Sequence, residues 1–308
     1  MSDEIKTAKY LITDSLAGER IDKGLSALID YVSRTSLQKK IKDGKVTVNG
    51  KNCKASTILA EGDNVEIVLE KAEEPNILPE DIPLDILYED RDVLVVNKPK
   101  NMVVHPSAGH YSGTLVNSVM YHCKDSLSGI NGVLRPGIVH RIDMNTTGSV
   151  IICKNDNAHI SIANQLKEHS INRRYLAIVT GKIKDDEGTI ESFIGRDPKD
   201  RKKMAVTPSG KHAVTHYRVI ERFDSYTYVE CVLETGRTHQ IRVHMASIGH
   251  PLLGDSVYGR ESKNFKNLEG QCLHAYILGF VHPSTGEYIE TTAKIPEYFE
   301  DILMKLRK

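Results

Sequence analysis

Apolar positions follow two regimes along the chain, one before about residue 75 and one after residue 84. In the first, Ile21, Leu25, Leu28 and Ile29 recur at the i, i+4, i+7, i+8 spacing of one helix face. Ser33 or Ser36 is placed to cap a second helix through Gln38 and Ile41, with Gly44 to end it. Val46-Thr47-Val48 then reads as a short strand, and Asn49-Gly50 as a tight hairpin turn. Gly62-Asp63 marks another turn before Val65, Ile67 and Leu69 alternate as a strand. The expected module over 1–75 is therefore helix, helix and hairpin-rich sheet.

Residues 71–85 are acidic and carry Pro75, Pro79 and Pro83, a linker composition that predicts a connection over 76–84. A second domain is expected over 85–308. Asp92 to Asn97 is a buried strand running into Lys98-Pro99, and Ser149 to Cys153 is another. Asn157 to His169 reads as a helix with Ile160, Ala163 and Leu166 on one side. Tyr175 to Val179, Ala213 to Ile220 and Tyr226 to Leu233 read as strands. Thr238 is placed to cap a helix from His239 to Ile248, ended by Gly249. Many strands with few helices predict an α+β class built on a mixed, largely antiparallel sheet with flanking helices.

Composition narrows the function classes. The chain has 308 residues, 40% hydrophobic and 27% charged, as ordinary globular proteins have. No apolar run approaches the ~18 residues of a membrane span, and Met1-Ser2-Asp3-Glu4 lacks the start of a signal peptide. Five widely spaced cysteines form no CxxC pair, so a reduced, cytoplasmic setting is expected, with no membrane partner. The 41 basic and 41 acidic residues cancel, but their distribution is uneven. Between positions 34 and 54 stand seven bases (Arg34, Lys39, Lys40, Lys42, Lys45, Lys51, Lys54) and one acid, Asp43. Such a concentrated patch is the footprint of phosphate binding, with a solvated helix face as the alternative. Arg196, Lys199, Arg201, Lys202 and Lys203 form a second cluster in an expected loop, placed either to track an RNA backbone or simply to sit in solvent.

The chain has no GxxxxGK[ST] loop, GxGxxG turn or GxSxG elbow, which argues against a nucleotide cofactor and against serine hydrolysis. Thirteen histidines supply no metal set. His239 and His244 are five apart and so fall on different faces. His212 and His216 lie on an expected strand, where four residues span about 13 Å. The segment from Gly137 to Gly148 is polar and turn-rich between apolar Ile138-Val139 and Val150-Ile151-Ile152. Asp143 within it would be partly desolvated and would need a cation to stay ionised. The alternative is an Asx-turn in which Asp143 caps backbone amides.

His140-Arg141-Ile142-Asp143 followed by Thr146-Thr147-Gly148 resembles the HRLD…TSG signature of pseudouridine synthases of the RluA/RluD family, with Ile142 and Thr147 as mild departures. The resemblance continues through Leu87 to Pro99, Val104-His105-Pro106, Gly113 to Asn117, and Arg173-Arg174-Tyr175. It goes on through Thr235 to His244, Gly249 to Leu252, Gly254-Asp255, Leu273-His274-Ala275 and His282-Pro283, all in order over about 85–300. The first module is similar to the small RNA-binding domain named after ribosomal protein S-four, through Arg20 to Lys23, Ser33-Arg34, Gly44-Lys45-Val46 and Val48-Asn49-Gly50.

The resemblance implies isomerisation of uridine to pseudouridine inside structured RNA, with no cofactor and no metal. It implies Asp143 as the catalytic carboxylate and Tyr175 as the residue that stacks on uracil and serves proton transfer. Arg242 is implied as the cation paired with Asp143 in bidentate geometry, with Arg237 as the alternative. Arg141 would fill the space of the flipped base. Ribosomal RNA stem-loops are the expected partner and a monomer the expected state. Transfer RNA, a non-catalytic ribosome-assembly factor and a hydrolytic glycosidase or nuclease are the competing readings. The last would want a second carboxylate beside Asp143 or a metal cluster.

Overall fold

The computed structural model describes residues 6–29, 32, 34–69, 77–106, 110–124, 126–132, 135–200, 203–260, 262, 264–265 and 268–308. Contacts divide the chain between Asn76 and Ile77 into two compact units.

In the first unit β1 (Lys6–Leu11) is followed by α1 (Ile21–Leu28), α2 (Arg34–Lys42), β2 (Val46–Val48), β3 (Lys51–Asn52) and β4 (Asn64–Leu69). The antiparallel sheet runs β1-β4-β2-β3. Ile21 and Leu25 from α1, Leu37 and Ile41 from α2, and Val46, Val65 and Ile67 from the sheet meet in one core. Leu28, expected on the α1 stripe, is instead 39% exposed, because the helix ends there and Ile29 turns inward. Asn49 and Gly50 both take positive φ (50° and 76°), the type I′ geometry that closes a two-residue hairpin. Of the two expected caps of α2, Ser33 lies outside the described residues.

The second unit contains β5 (Ile86–Glu89), β6 (Val93–Lys98), α3 (Leu115–Cys123), β7 (Thr147–Cys153), α4 (Asp156–Lys167), β8 (Asn172–Thr180) and β9 (Glu187–Arg196). It continues with β10 (Met204–Val206), β11 (Lys211–Arg222), β12 (Tyr226–Leu233), α5 (Gln240–Ser247), β13 (Leu273–Val281), β14 (Tyr288–Thr292) and α6 (Glu297–Leu306). Its sheet runs β10-β9-β11-β12-β8-β13-β7-β6-β5, with β14 beside β13. Among the described residues only the β13–β7 pairing is parallel. The α+β class with a mixed, mostly antiparallel sheet holds.

Three local readings need correction. Residues 77–84, read as linker, pack on this unit. Ile77 is buried, Asn117 Nδ2 donates to the Leu78 carbonyl (2.7 Å), and the Gly113 amide donates to the Glu80 carboxylate (3.1 Å). The buried side of α4 runs through Ala158 and Ile162 with Leu166 beside them, while Ile160 is 54% exposed. Thr238 does not cap α5. The capping position is His239, in the left-handed region at φ 56°. Gln240 organises this turn, accepting from the Arg237 amide (2.9 Å) and the Thr235 hydroxyl (2.7 Å) and donating to the Val214 carbonyl (2.9 Å).

Candidate active site

Asp143 lies in the loop that enters β7, and the loop is fixed from several sides. Lys98, at the end of β6, has no exposed surface. Its ammonium donates to the carbonyls of Pro99 (2.7 Å), Met102 (2.8 Å) and Met144 (3.0 Å). Three acceptors occupy all three N–H donors. Burial pushes the Lys98 ammonium down to about 7, with Asp143 opposing. His140 accepts the Ile151 amide on Nε2 (3.0 Å), so the ring proton of the neutral imidazole belongs on Nδ1. Burial, with help from Arg173, holds His140 at about 4. This histidine therefore staples the loop to β7.

Sheet pairing brings Tyr175 to the same place. Ala275 on β13 sits between Gly148 of β7 and Tyr175 of β8 in register. Gly148 has φ 110°, and a side chain there would overlap the Ala275 carbonyl, so this crossing requires glycine. Tyr175 is 8% exposed. Burial raises its phenol above the usual value, Arg173 opposes that, and Asp143 reinforces it.

Arg242 projects from the first turns of α5 and is buried. Nη1 donates to Asp143 Oδ2 at 2.8 Å. Nε and Nη2 donate to Asp255 Oδ2 (2.7 Å) and Oδ1 (2.9 Å). The bidentate partner is thus Asp255, and the pairing expected with Asp143 is single-pronged. Burial alone would lower the Arg242 pKa, yet Asp255 and Asp143 together hold it above the ordinary value. Asp255 also accepts the amides of Val257 (2.9 Å) and Tyr258 (3.2 Å). The Tyr258 hydroxyl bonds His239 Nδ1 (2.8 Å), and His239 Nε2 lies 3.6 Å from Asp143 Oδ1. Burial lowers the His239 pKa against the pull of Asp143, which favours a neutral ring.

The Asp143 carboxylate faces side chains and caps no backbone amide among the described residues, so the Asx-turn alternative falls away. Asp255, a second carboxylate near it, is saturated by Arg242 and two amides and is not a free acid or base. Lys98, His239, Asp255 and Tyr258 carry no signal of their role in sequence, since their partners are distant or backbone.

The other expected residues are spread more widely. Arg141 is exposed, with Nη1 3.3 Å from His105 Nε2. Burial, then Arg141 and Arg135, push His105 down to about 4. Arg237 donates Nε to the His212 carbonyl (2.8 Å) and makes no ion pair with Asp143. Lys203 is half-buried at the end of its loop, whereas Arg201 and Lys202 lie outside the described residues. In the first unit Lys39, Lys42 and Lys51 are exposed, and Lys40 and Lys45 half-buried. Arg34 is bound to the buried Asp22, with Arg20 and Gln38 on the same carboxylate. Burial would raise Asp22, but these three partners hold it at about 2.

His212 and His216 lie on β11 and pair with Glu191 (2.7 Å) and Glu234 (2.6 Å). Among the described residues one cluster has metal-like spacing, Asp90, Asp92 and His282. It is closed by bonds from Tyr88, Asn155, Ser284 and backbone amides. No described helix is long and apolar enough to cross a membrane.

Comparison with known proteins matches residues 92–247 to the RNA pseudouridylate synthase family and residues 19–65 to the S4 domain. An uncharacterized RNA pseudouridine synthase of Bacillus subtilis (strain 168) is 55% identical over 94% of this chain and 95% of its own. The ribosomal large subunit pseudouridine synthase D of Pseudomonas aeruginosa is 42% identical over 100% of this chain and 98% of its own. Among solved structures, human RNA pseudouridylate synthase domain containing 1 aligns with a TM-score of 0.56 and 26% identity. That alignment covers 74% of this chain and 96% of the human one.

Proposed function

Because this chain belongs to the RNA pseudouridylate synthase family and carries an S4 domain, we propose that it isomerises uridines in stem-loops of large-subunit ribosomal RNA. It is an RNA pseudouridine synthase, an isomerase. In the reaction the bond from uracil N1 to the sugar C1′ breaks and a bond from C5 to C1′ forms. The proton on C5 is lost and N1 gains one.

The observation that carries the reading is the Asp143 carboxylate, held through Oδ2 by a buried arginine that is itself locked to Asp255. Oδ1 is the oxygen left for the substrate. Preorganised charge of this kind acts without reorganisation cost at the moment of reaction. Asp143 serves as nucleophile or assists departure of the base. Tyr175, buried on β8, stacks on the uracil and serves in proton transfer from C5, for which its phenol must first give up its own proton against the upward pull of burial. Arg141, exposed beside the loop, fills the gap left by the flipped base.

Relatives named for the large ribosomal subunit support ribosomal over transfer RNA. The basic residues Arg34, Lys39, Lys40, Lys42, Lys45 and Lys51 serve the RNA backbone from the first unit, and Arg237, Arg201, Lys202 and Lys203 from the second. The protein acts as a cytoplasmic monomer. Pseudouridine mapping of ribosomal RNA from cells with and without this protein tests the reading: one or more large-subunit positions should revert to uridine. Loss confined to transfer RNA would contradict it.

A further inference from the structure

Two arginines are buried among the described residues, Arg173 and Arg242, each 6% exposed. Their surroundings differ sharply. Arg242 meets two carboxylates. Arg173 meets none within ion-pair distance among the described residues. Its Nη2 donates to the Glu234 carbonyl at 2.8 Å, and its Nε is buried with no hydrogen-bond partner. Nη1 lies so close under Gly236 that a Cβ there would stand 2.6 Å from it. Burial disfavours its cation, Tyr175 opposes that, and Arg237 adds to it.

A guanidinium cannot shed its charge near neutral pH, and a buried cation without an anion is costly. Arg173 shares one face of β8 with Tyr175, two residues on. Its guanidinium lies against Glu234 and Gly236, and Arg237, next in this turn, is a second cation close enough to act on it. A missing anion and an unfilled donor on Arg173, with Arg237 as a neighbouring cation, are the features an anionic group would complete.

We propose that Arg173, together with Arg237, is a binding site for a backbone phosphate of the RNA next to the flipped uridine. This rests on the pseudouridine synthase reading and deepens it. The phosphate neutralises the buried guanidinium only when substrate is seated, so target entry and charge compensation occur together.

The test is the salt dependence of binding to a stem-loop transcript of large-subunit ribosomal RNA. Arg173→Gln should weaken binding about fivefold to tenfold at 0.15 M salt. It should also flatten the log–log salt slope by roughly 0.7–0.9, the signature of one lost phosphate contact. Arg173→Lys should restore most of the slope. A folded Arg173→Gln protein with the wild-type slope would overturn the proposal, since a purely structural arginine changes stability and not counterion release. Should the glutamine variant fail to fold, the wild-type protein with single methylphosphonate linkages reads the same contact from the RNA side. One linkage beside the target uridine should flatten the slope, and absence of any such linkage would overturn the proposal. The wild-type tritium-release assay on the same transcript separates this outcome from failure of the functional reading, which would show as no release at all.

Discussion

Arg242 gives the two-pronged side of its guanidinium to Asp255 and not to Asp143. Nε lies 2.7 Å from Asp255 Oδ2 and Nη2 lies 2.9 Å from Oδ1, which leaves Nη1 to reach Asp143 Oδ2 at 2.8 Å. The cation beside Asp143 is therefore fixed by a partner whose side chain has no exposed surface. The two bonds to Asp255 set the angle of the guanidinium, while the single bond to Asp143 leaves one of its carboxylate oxygens free of the arginine.

The consequence for stability concerns which carboxylate is stranded when the arginine is lost. Arg242→Ala should destabilise the protein by roughly 3–5 kcal/mol in urea unfolding, the range for breaking a buried pair. Adding Asp255→Asn should recover more of that loss than adding Asp143→Asn. The Asp255 side chain has no exposed surface, whereas that of Asp143 is 20% exposed and can recruit water. Greater recovery from Asp143→Asn would contradict this ordering. Arg237→Ala, whose side chain bonds a backbone carbonyl, should show no coupling to either aspartate.

Arg242→Lys should lose tritium release from C5-labelled uridine by at least a hundredfold while keeping most of its stability. Lysine supplies a point charge and has no fork with which to bind Asp255 and reach Asp143 at once. Retention of more than a tenth of wild-type activity would contradict this assignment of geometry.

Lys98 makes a pH-dependent contribution whose sign follows from its depressed value of about 7. The unfolded chain holds this proton up to about 10.4, so between those limits the unfolded state binds more protons and stability rises with pH. Lys98→Met removes the titration along with three hydrogen bonds. The stability difference, wild type minus variant, should grow by up to about 1.4 kcal/mol per pH unit between pH 7.5 and 9.5. Urea unfolding at several pH values reads it, and a flat difference would place the Lys98 ammonium outside that window.

Much of the first unit was legible because its signals are local. The α1 stripe, the Asn49-Gly50 turn and the alternation in β4 depend on neighbours within a few positions. The burial side of α4 was misread because Ile160 looks like a core residue in sequence, while the sheet selects Ala158 and Ile162. Asp143, Tyr175 and Arg242 stood out through family-like motifs, and Arg242 meets Asp143 across 99 positions. The roles of Lys98 and Asp255 were not legible. Lys98 bonds only carbonyls, which every residue has, one of them 46 positions away. The claim of Asp255 on the arginine fork depends on how the 250–258 loop folds back over α5, and no periodicity encodes that. Over 77–84 the linker reading failed because proline and acid content describes backbone preference and not the apolar contacts of Ile77, Ile82 and Leu84.

The basic patch of the first unit yields a charge prediction on the full chain. Replacing Lys39, Lys40 and Lys42 with Gln should leave folding intact, since Leu37 and Ile41 carry the packing of α2. RNA binding should weaken, with the log–log salt slope falling by roughly 0.7–0.9 for each lysine that touches a phosphate. An unchanged slope would reassign this face to solvent.

The central claim is that Asp143 is the reacting carboxylate, and Asp143→Asn tests it most directly. The substitution keeps the shape of the side chain and its place beside Arg242 while removing its negative charge. Tritium release from ribosomal RNA labelled at uracil C5 should fall below a hundredth of the wild-type rate, with RNA binding retained within a few fold. Activity above that level in a protein that still binds RNA would contradict the account.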